Sequence, residues 1–580
     1  MLRTVPSRIA EIARGNLSVS DAMIVAVVLA LFSAAWGIIY QLTLSSSVPQ
    51  NDIIDFYKQF LDAGGFAGYG LDLLYQRHNE HRLFVPKLWF LADIALVDAR
   101  QTLLLTVISL SAVAHAGLIA ALFRGLGQSR SATALAFIVA AGAMLSPVQW
   151  ENLIQGFQVQ FVQVWLFATL SFALIAWAPA EPGRGGVLAL AVAGAALAGL
   201  CSTYSMINGL AVWPLLVIFA LWRRLPAVWV LFLAAVGGAV LAVEVPGFFT
   251  RPGGGHLPGM QTDPLTVLRF MARYLTSAID DIGSTGQEIV GSLAFAGLII
   301  AGIHALVRPG RVSGVHMALL AASAFVLASA VTTAMGRLHM GLGAANTSRY
   351  ATPSMVFLVI CGLLVYDGLC RRQWPRLRAW FTLVGVALLL VPGLVHEGRS
   401  LLSRFVVRDF ARMAIASHLA GGYRPQTLIF LYPHWPVRPD EVARAMQKAG
   451  LGPFSELQRF MPPASALADG PAVDAPACNG EVRFLRIDPV NGVTFGSWLS
   501  NAETGARPPW VVGRDQDGRV VAWGAEWEAR GDYAPILDPG LFGRGHAAFG
   551  PVPDVPVERI TVEGVFDDGR RCRLAGSFER

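Results

Sequence analysis

Charged residues are scarce in this chain. Only 14% of its 580 residues are Asp, Glu, Lys or Arg, whereas 54% are hydrophobic. Soluble domains carry about 25% charged residues, so the composition excludes a soluble multidomain enzyme and indicates an integral membrane protein. The net charge of +6 is not gathered into a basic block. Nucleic acid is therefore not expected as a partner.

Cysteine is also scarce, and its placement excludes a zinc site. The five cysteines show no CxxC motif and no Cys/His metal spacing. Cys201, Cys361 and Cys370 lie in or beside apolar runs, where we expect small buried side chains. Cys478 and Cys572 flank the one polar domain. An oxidising exterior would permit a disulfide between them, although both could equally stay reduced.

Long apolar runs dominate the chain. A membrane span needs about 20 apolar residues, and about eleven runs approach that length. They lie near 21–43, 101–123, 131–148, 160–179, 187–205, 207–222, 226–246, 289–307, 314–335, 352–369 and 379–396. The run at 207–222 is short, and the break at Ser202–Asn208 is also compatible with a re-entrant turn. This leaves the count open by one or two spans.

Arginines predict the orientation of the spans. Every short connection on one side carries them: Arg3, Arg8, Arg14, Arg124, Arg130, Arg184, Arg223, Arg224, Arg308, Arg311, Arg371, Arg372, Arg376 and Arg378. The positive-inside rule then places the N-terminus in the cytoplasm. An odd number of spans predicts a C-terminal region in the periplasm of a bacterium, with the chain in the inner membrane. The outer loops would be 44–100, 149–159, 247–288 and 336–351.

The composition changes after 397, which predicts three domains: spans over 1–398, an α/β connector and linker over 399–477, and a β domain over 478–580. The connector would hold an amphipathic helix near 401–420, a strand at 427–432 and a second helix at PDEVARAMQKAG. Short alternating strands with Gly, Asp and Pro turns fill the last domain and predict a β-sandwich. The predicted fold class is a mainly α membrane protein with this C-terminal sandwich.

The first outer loop contains the densest charge. At helical spacing, Asp52, Asp55, Gln59 and Asp62 share one face. They either face water on an interfacial helix, or one of them is a general base with a pKa raised by low-dielectric surroundings. A second helix at 82–98 is predicted to lie in the interface.

The same loop ends in RHNEHR, which contains Arg77, His78, Glu80, His81 and Arg82. The histidines are three positions apart and no third ligand accompanies them, so phosphate binding or structural pairing is favoured over a metal.

Two further outer segments carry polar groups. Trp150, Glu151, Asn152 and Gln155 could bind sugar hydroxyls or end a helix at an aromatic belt. The other segment holds Arg337, His339, Arg349 and Tyr350. Arginine is disfavoured on the outer side, so Arg337 and Arg349 predict either an anionic ligand or pairing with Asp52 or Glu80. For the 247–288 loop, a solvated helix is favoured over an ordered lid.

This layout resembles the GT-C superfamily of polytopic glycosyltransferases. The resemblance is carried by the acidic motif NDIIDFY (51–57), the amphipathic segment after it, the many spans and the outer β domain. It implies an inverting transfer of sugar from a polyprenyl-phosphate donor to a glycan or lipid acceptor. Asp52 or Asp55 would be the base, and Lys58 and the polar residues above would bind substrates. The resemblance leaves room for a divalent cation. The alternative is a lipid or glycan transporter, or a polymerase-like assembly protein.

Overall fold

The computed structural model describes residues 18–45, 48–179, 185–249, 263–419, 439–453, 461–470, 475–488, 492–529 and 543–579. The chain divides into two compact units. The first comprises Met1–Thr43, Leu71–Phe90 and Leu104–Arg399, and the second comprises Leu44–Gly70, Leu91–Leu103 and Ser400–Arg580. Two pieces of the first outer loop therefore group with the C-terminal region, whereas the sequence-based division kept the whole loop with the spans.

The helices are α1 (Val19–Leu44), α2 (Ile53–Asp62), α3 (Leu71–Tyr75), α4 (Phe84–Val97), α5 (Thr102–Gly125), α6 (Arg130–Met144), α7 (Trp150–Ile154), α8 (Val159–Trp177), α9 (Gly185–Thr203), α10 (Val212–Trp222), α11 (Ala227–Phe249), α12 (Pro264–Leu275), α13 (Gly283–Val307), α14 (Gly314–Arg337), α15 (Ala351–Arg371), α16 (Pro375–Leu419), α17 (Pro439–Ala449) and α18 (Ala464–Leu467). The strands are β1 (Ala477–Asp488), β2 (Gly492–Asn501), β3 (Trp510–Arg514), β4 (Val520–Ala529), β5 (Gly543–Gly550), β6 (Arg559–Val565), β7 (Arg571–Leu574) and β8 (Phe578–Glu579).

Ten helical segments among the described residues are long and apolar enough to cross a membrane. They correspond one by one to ten of the predicted runs, so the multi-pass character of the protein is confirmed. The eleventh run, 207–222, forms a shorter apolar helix, Ile207–Trp222. It is therefore the one predicted span that falls below the usual spanning length.

Small residues allow the helices of the first unit to approach closely. A Cβ atom at Gly37 would lie 1.6 Å from the Leu145 carbonyl oxygen, and one at Gly142 would lie 2.5 Å from that of Ala30. Helix α1 therefore packs backbone to backbone against α6, as small residues permit between helices in lipid. Deeper in the unit, the rings of Trp165 on α8 and Phe325 on α14 lie 5.2 Å apart.

In the second unit, α2 buries one apolar face. Ile53, Phe56, Tyr57 and Phe60 are among its buried residues, which agrees with the predicted amphipathic pattern. A second anchor of this unit is Asp93, which is fully buried and accepts hydrogen bonds from the backbone nitrogens of residues 101 and 103 at 2.9 and 3.1 Å. Its carboxylate holds the turn that follows α4.

The C-terminal strands form one closed sheet. Their order is β3-β4-β5-β2-β1-β7-β6-β8, and β3 also pairs with β6. The expected sandwich is thus a barrel, a distinction that alternation cannot make because both architectures show the same inward and outward periodicity. Cys478 on β1 and Cys572 on β7 form a disulfide. This bond joins the strands at the seam where β1 and β7 pair over only two residues.

Two expectations for the connector have different outcomes. The last span and the separate helix expected near 401–420 are instead one continuous helix, α16, which continues through Gly398. The helix expected from PDEVARAMQKAG is present as α17. The strand expected at 427–432 lies outside the described residues, as do Arg3, Arg8, Arg14 and Arg184.

Candidate functional site

Glu244 is the centre of a charged cluster in the first unit. It lies near the end of α11, and its side chain is 1% exposed. Arg77 Nη2 and Arg82 Nε donate to its Oε2 atom at 2.8 and 3.0 Å, and the Tyr75 hydroxyl donates to Oε1 at 3.2 Å. Two guanidinium groups therefore neutralise one buried carboxylate, leaving a local excess of one positive charge.

Aromatic groups hold this cluster in place. The Arg82 guanidinium lies 4.1 Å from the centre of the Tyr75 ring, a distance that permits a cation–π interaction. The Tyr75 and Tyr204 hydroxyls are 3.0 Å apart, and burial with that hydrogen bond raises the pKa of Tyr204. Arg77 and Arg82, which were predicted to bind a substrate, are thus engaged by Glu244. Glu244 is a rare charge within the predicted span 226–246, a sequence signal that could have identified it as their partner.

The two histidines of RHNEHR form the base of a tight turn. His78 and His81 exchange backbone hydrogen bonds of 2.7 and 2.9 Å, and Asn79 between them adopts a left-handed φ of 51°. The His81 Nδ1 atom accepts from the backbone nitrogen of Ile207 at 3.3 Å, while the His78 ring packs against Phe157. Within the described part of the chain, no three His, Cys, Asp or Glu side chains are grouped to hold a metal.

Lys87, on α4, is a buried lysine. Its ammonium donates to the carbonyl oxygens of Leu73 and Gln76 at 2.6 and 3.0 Å. Burial, with a smaller effect from Arg82, lowers its pKa to about 8. The lysine ties α4 to the segment before RHNEHR, a contact that the interfacial-helix interpretation did not anticipate.

Arg337 and Arg349 are only loosely paired. Arg337 Nη2 is 3.9 Å from Glu80 Oε1, and its side chain is 46% exposed. Arg349 Nε is 3.5 Å from Glu151 Oε2, and neither of these two buried atoms has a hydrogen-bond partner. At such separations the ion pairs are weak. The predicted pairing of Arg337 with Glu80 is therefore present, but only as a long contact that leaves the Arg337 side chain partly exposed to solvent.

The Asn152 amide is anchored to Arg349 and to the start of α15. Asn152 Nδ2 donates to the Arg349 carbonyl at 3.0 Å and to the Thr352 hydroxyl at 2.7 Å, which fixes the side chain against the start of α15. Its Oδ1 atom has no hydrogen-bond partner, and the same is true of the Oε1 atoms of Gln158 and Gln160. These side chains are all at least nine-tenths buried. Both glutamines belong, with Asn152, to the polar segment 146–161 in which the sequence predicts either sugar recognition or helix-end amides.

The other residues expected in these segments have different surroundings. Trp150 is half-buried and Gln155 is buried, whereas His339 is exposed. Tyr350 is buried, and its ring centre lies 5.0 Å from that of Tyr274. Tyr350 is therefore part of the packing beneath the loop, and its carbonyl accepts a hydrogen bond from Ser277.

The candidate bases belong to the second unit. Asp52 precedes α2 and Asp55 lies in its first turn, and both side chains are half-buried. Lys58 forms an exposed ion pair with Asp62. Beside them, burial raises the pKa of Tyr57, with a further contribution from the charge of Asp93. The polar face of α2 therefore separates into half-buried Asp52 and Asp55 and an outward Lys58–Asp62 pair.

No protein-family model, curated protein or solved structure matches this chain.

Proposed function

We propose that this protein is a membrane glycosyltransferase that transfers a sugar from a polyprenyl-phosphate donor to an envelope glycan or lipid acceptor. The observation that carries the proposal is the group around Arg349. Arg349 Nε is 3.5 Å from Glu151 Oε2, the Arg349 carbonyl accepts from Asn152 Nδ2, and Asn152 Oδ1 is a buried amide oxygen without a hydrogen-bond partner. Guanidinium groups bind phosphate, and amides bind sugar hydroxyls. Together they fit a substrate that carries both.

An apolar cavity in the first unit supports a substrate with a long hydrocarbon chain. It has a volume of about 750 Å³ and is lined by residues of α5, α6, α13, α14, α15 and α16, among them Phe123, Leu135, Leu293, Val359 and Leu389. An apolar cavity does not hold ordered water. Between membrane helices, an alkyl or prenyl chain is the occupant that such a lining would accept.

In the proposed reaction, the acceptor hydroxyl oxygen attacks the anomeric carbon of the donor sugar and forms the new C–O bond. The bond from that carbon to the phosphate oxygen breaks, and the electron pair leaves with the polyprenyl phosphate. Arg349 and Arg337 would stabilise the charge that grows on this leaving group. A carboxylate would take the acceptor proton, and Asp52 or Asp55 has this role by resemblance to GT-C enzymes.

Transfer of radiolabelled sugar from a polyprenyl-phosphate donor, measured in proteoliposomes, tests the proposal. We expect Arg349→Gln to lower the rate about 100-fold or more, as loss of a charge-stabilising donor does. Arg311→Gln, at an exposed arginine of a predicted inner loop, is the matched control and should retain activity. Wild-type rates in folded Arg349→Gln protein would contradict the assignment of the phosphate site.

The two candidate bases are tested separately. Asp52→Asn and Asp55→Asn are compared with Asp62→Asn, which changes an exposed acid of the same helix. We expect one of the first two to lose transfer by about 100-fold or more and Asp62→Asn to remain active. If both retained the wild-type rate, the proposed base would be wrong. Movement of the labelled lipid across the bilayer without a new glycosidic bond would instead support a transporter.

A further inference from the structure

The outer surface of the barrel contains an open groove with a volume of about 770 Å³. This volume falls in the range of ligand sites, about 300–1,000 Å³. Its lining comes from the start of β1, from the turn between β3 and β4, from β6, and from the end of β7 with the residues just after it, 573–577. The polar side chains of this lining include Asp515, Asp517, Arg559, Thr561, Arg573 and Ser577.

Strand alternation shows which side chains point outward. On β6, Ile560 and Val562 belong to the barrel core, so Arg559 and Thr561 lie on the outer face. On β7, Cys572 and Leu574 are in the core, which places Arg573 on the outer face as well. Two arginines and a threonine therefore share one side of neighbouring strands.

The acids near the groove are already neutralised by other arginines. Glu563 is buried and lies 3.3 Å from Arg514 Nε and 3.4 Å from Arg571 Nη1. Arg519 contacts Asp515 at 2.9 Å and Asp517 at 2.6 Å. These four pairings involve the two acids that line the groove and Glu563, which lies opposite the groove residue Arg573.

Arg559 and Arg573 make none of these pairings, although Glu579 lies opposite Arg559 and Glu563 lies opposite Arg573 in the strand register. Among the described residues, the side chain of neither forms an ion pair or a hydrogen bond. Arg573 is half-buried, which limits its contact with water and makes an unpaired charge there unfavourable. Five arginines thus face four carboxylates, Glu579 included, and the groove keeps a small net positive charge. Two guanidinium groups display it beside the hydroxyls of Thr561 and Ser577.

We propose that this groove binds an acidic saccharide, independently of the proposed transfer reaction. Arg559 and Arg573 bind the carboxylate or phosphate groups of the chain through paired N–H donors. Thr561 and Ser577 exchange hydrogen bonds with its hydroxyls. The site would keep an anionic envelope polymer attached to the protein.

The surroundings of the groove favour a saccharide over a membrane surface. Basic segments that bind membranes combine their charges with exposed apolar side chains. The exposed large hydrophobic residues in the described part of the barrel are Trp498, Val552 and Val555, and none of them lines the groove. The lining also lacks an aromatic ring on which a nucleic-acid base would stack.

Binding to the full-length protein in detergent tests this proposal. The probes are a fluorescent oligogalacturonate, which carries carboxylates, and a glycerol-phosphate oligomer; maltohexaose is the neutral control. We expect at least one acidic probe to bind and maltohexaose not to bind. Arg559→Gln with Arg573→Gln should weaken binding about tenfold or more per arginine. Which acidic probe binds more tightly identifies the anionic group.

Matched variants separate a site from a general charge effect. Arg570→Gln removes an exposed arginine that pairs with Asp568 outside the groove, and it should leave binding unchanged. Thr561→Val should weaken oligogalacturonate binding severalfold without changing the weak, salt-sensitive attraction of polyglutamate. Equal affinity for polyglutamate and oligogalacturonate, unchanged binding by the double variant, or a preference for anionic lipid vesicles would each overturn the proposal.

Discussion

At the scale of single residues, the buried carboxylate of Glu244 organises the first unit where RHNEHR meets α11. Its two arginines come from a loop that lies 167 and 162 residues earlier in the chain. A buried charge is tolerated only when it is paired, and removal of one partner leaves the others uncompensated. The cluster therefore holds the loop to the helix bundle.

We expect Glu244→Gln to lower the free energy of unfolding by about 3–5 kcal/mol, because it leaves two guanidinium groups without their anion. The thermal unfolding midpoint in detergent measures this effect. Asp62→Asn, which breaks an exposed ion pair, should cost less than about 1 kcal/mol. Equal midpoints for the two variants would show that Glu244 has no such anchoring role.

Lys87 predicts a pH dependence. Its pKa is lowered from 10.5 to about 8 in the folded protein, so the unfolded chain retains the proton more tightly. Stability should therefore rise with pH between about 8 and 10.5. Below pH 8 the lysine is protonated in both the folded and the unfolded chain, so its effect on stability should not change with pH. Unfolding midpoints of wild type and Lys87→Met across pH 7 to 10 check this. A constant difference between the two proteins over that range would contradict the lowered pKa.

At the scale of elements, the weakest strand pairing on the path around the barrel is the short one between β1 and β7. β1 and β7 pair over two residues, and the Cys478–Cys572 disulfide crosses the same place. A bond between residues 94 positions apart restricts the unfolded chain strongly. The disulfide should therefore contribute substantially to the stability of the barrel.

Thiol titration of the denatured, unreduced protein should find three free cysteines, namely Cys201, Cys361 and Cys370, and five after reduction. Replacing Cys478 and Cys572 with serine should destabilise the barrel by about 2–5 kcal/mol, seen as faster proteolysis within it. Cys201→Ser is the control. Five reactive thiols before reduction would show that the disulfide is absent.

At the scale of the whole chain, contacts in the first unit group the loops by side. The predicted outer segments meet in the Glu80–Arg337 and Glu151–Arg349 pairs. The predicted inner ends meet elsewhere: Asp367 contacts His316, Arg371 and Gln128. This grouping agrees with spans that alternate in direction.

The short helix Ile207–Trp222 follows the same alternation. Its first residue contacts His81, in a predicted outer loop. At its other end, Trp222 donates to the Ala305 carbonyl and Arg223 to that of Ala178, both next to predicted inner loops. We therefore expect it to cross the membrane despite a length of only about 24 Å at 1.5 Å per residue.

Labelling of single cysteines with a membrane-impermeant maleimide tests this topology. Ala227→Cys, just after the short helix, and Arg311→Cys should react from the same side, and His339→Cys from the opposite side; all three positions are exposed. The background protein lacks Cys201, Cys361 and Cys370. Reaction of Ala227→Cys from the side of His339→Cys would mean that the short helix does not cross.

The sequence by itself determined the membrane class, the positions of the spans and the change to β structure after residue 478. These follow from local properties, since a run of apolar residues or an alternating pattern reports on its own surroundings. The amphipathic pattern of α2 and the polar character of the loops were likewise readable, because helical spacing is local.

Only the tertiary structure decided which charges neutralise one another and how the strands close. Arg82 finds Glu244 at a separation of 162 residues, and β3 closes the barrel by pairing with β6. Such partners depend on packing between distant segments, which hydropathy and spacing do not encode. The burial of Lys87 and the loose pairing of Arg349 arise in the same way, from neighbours that are remote along the chain.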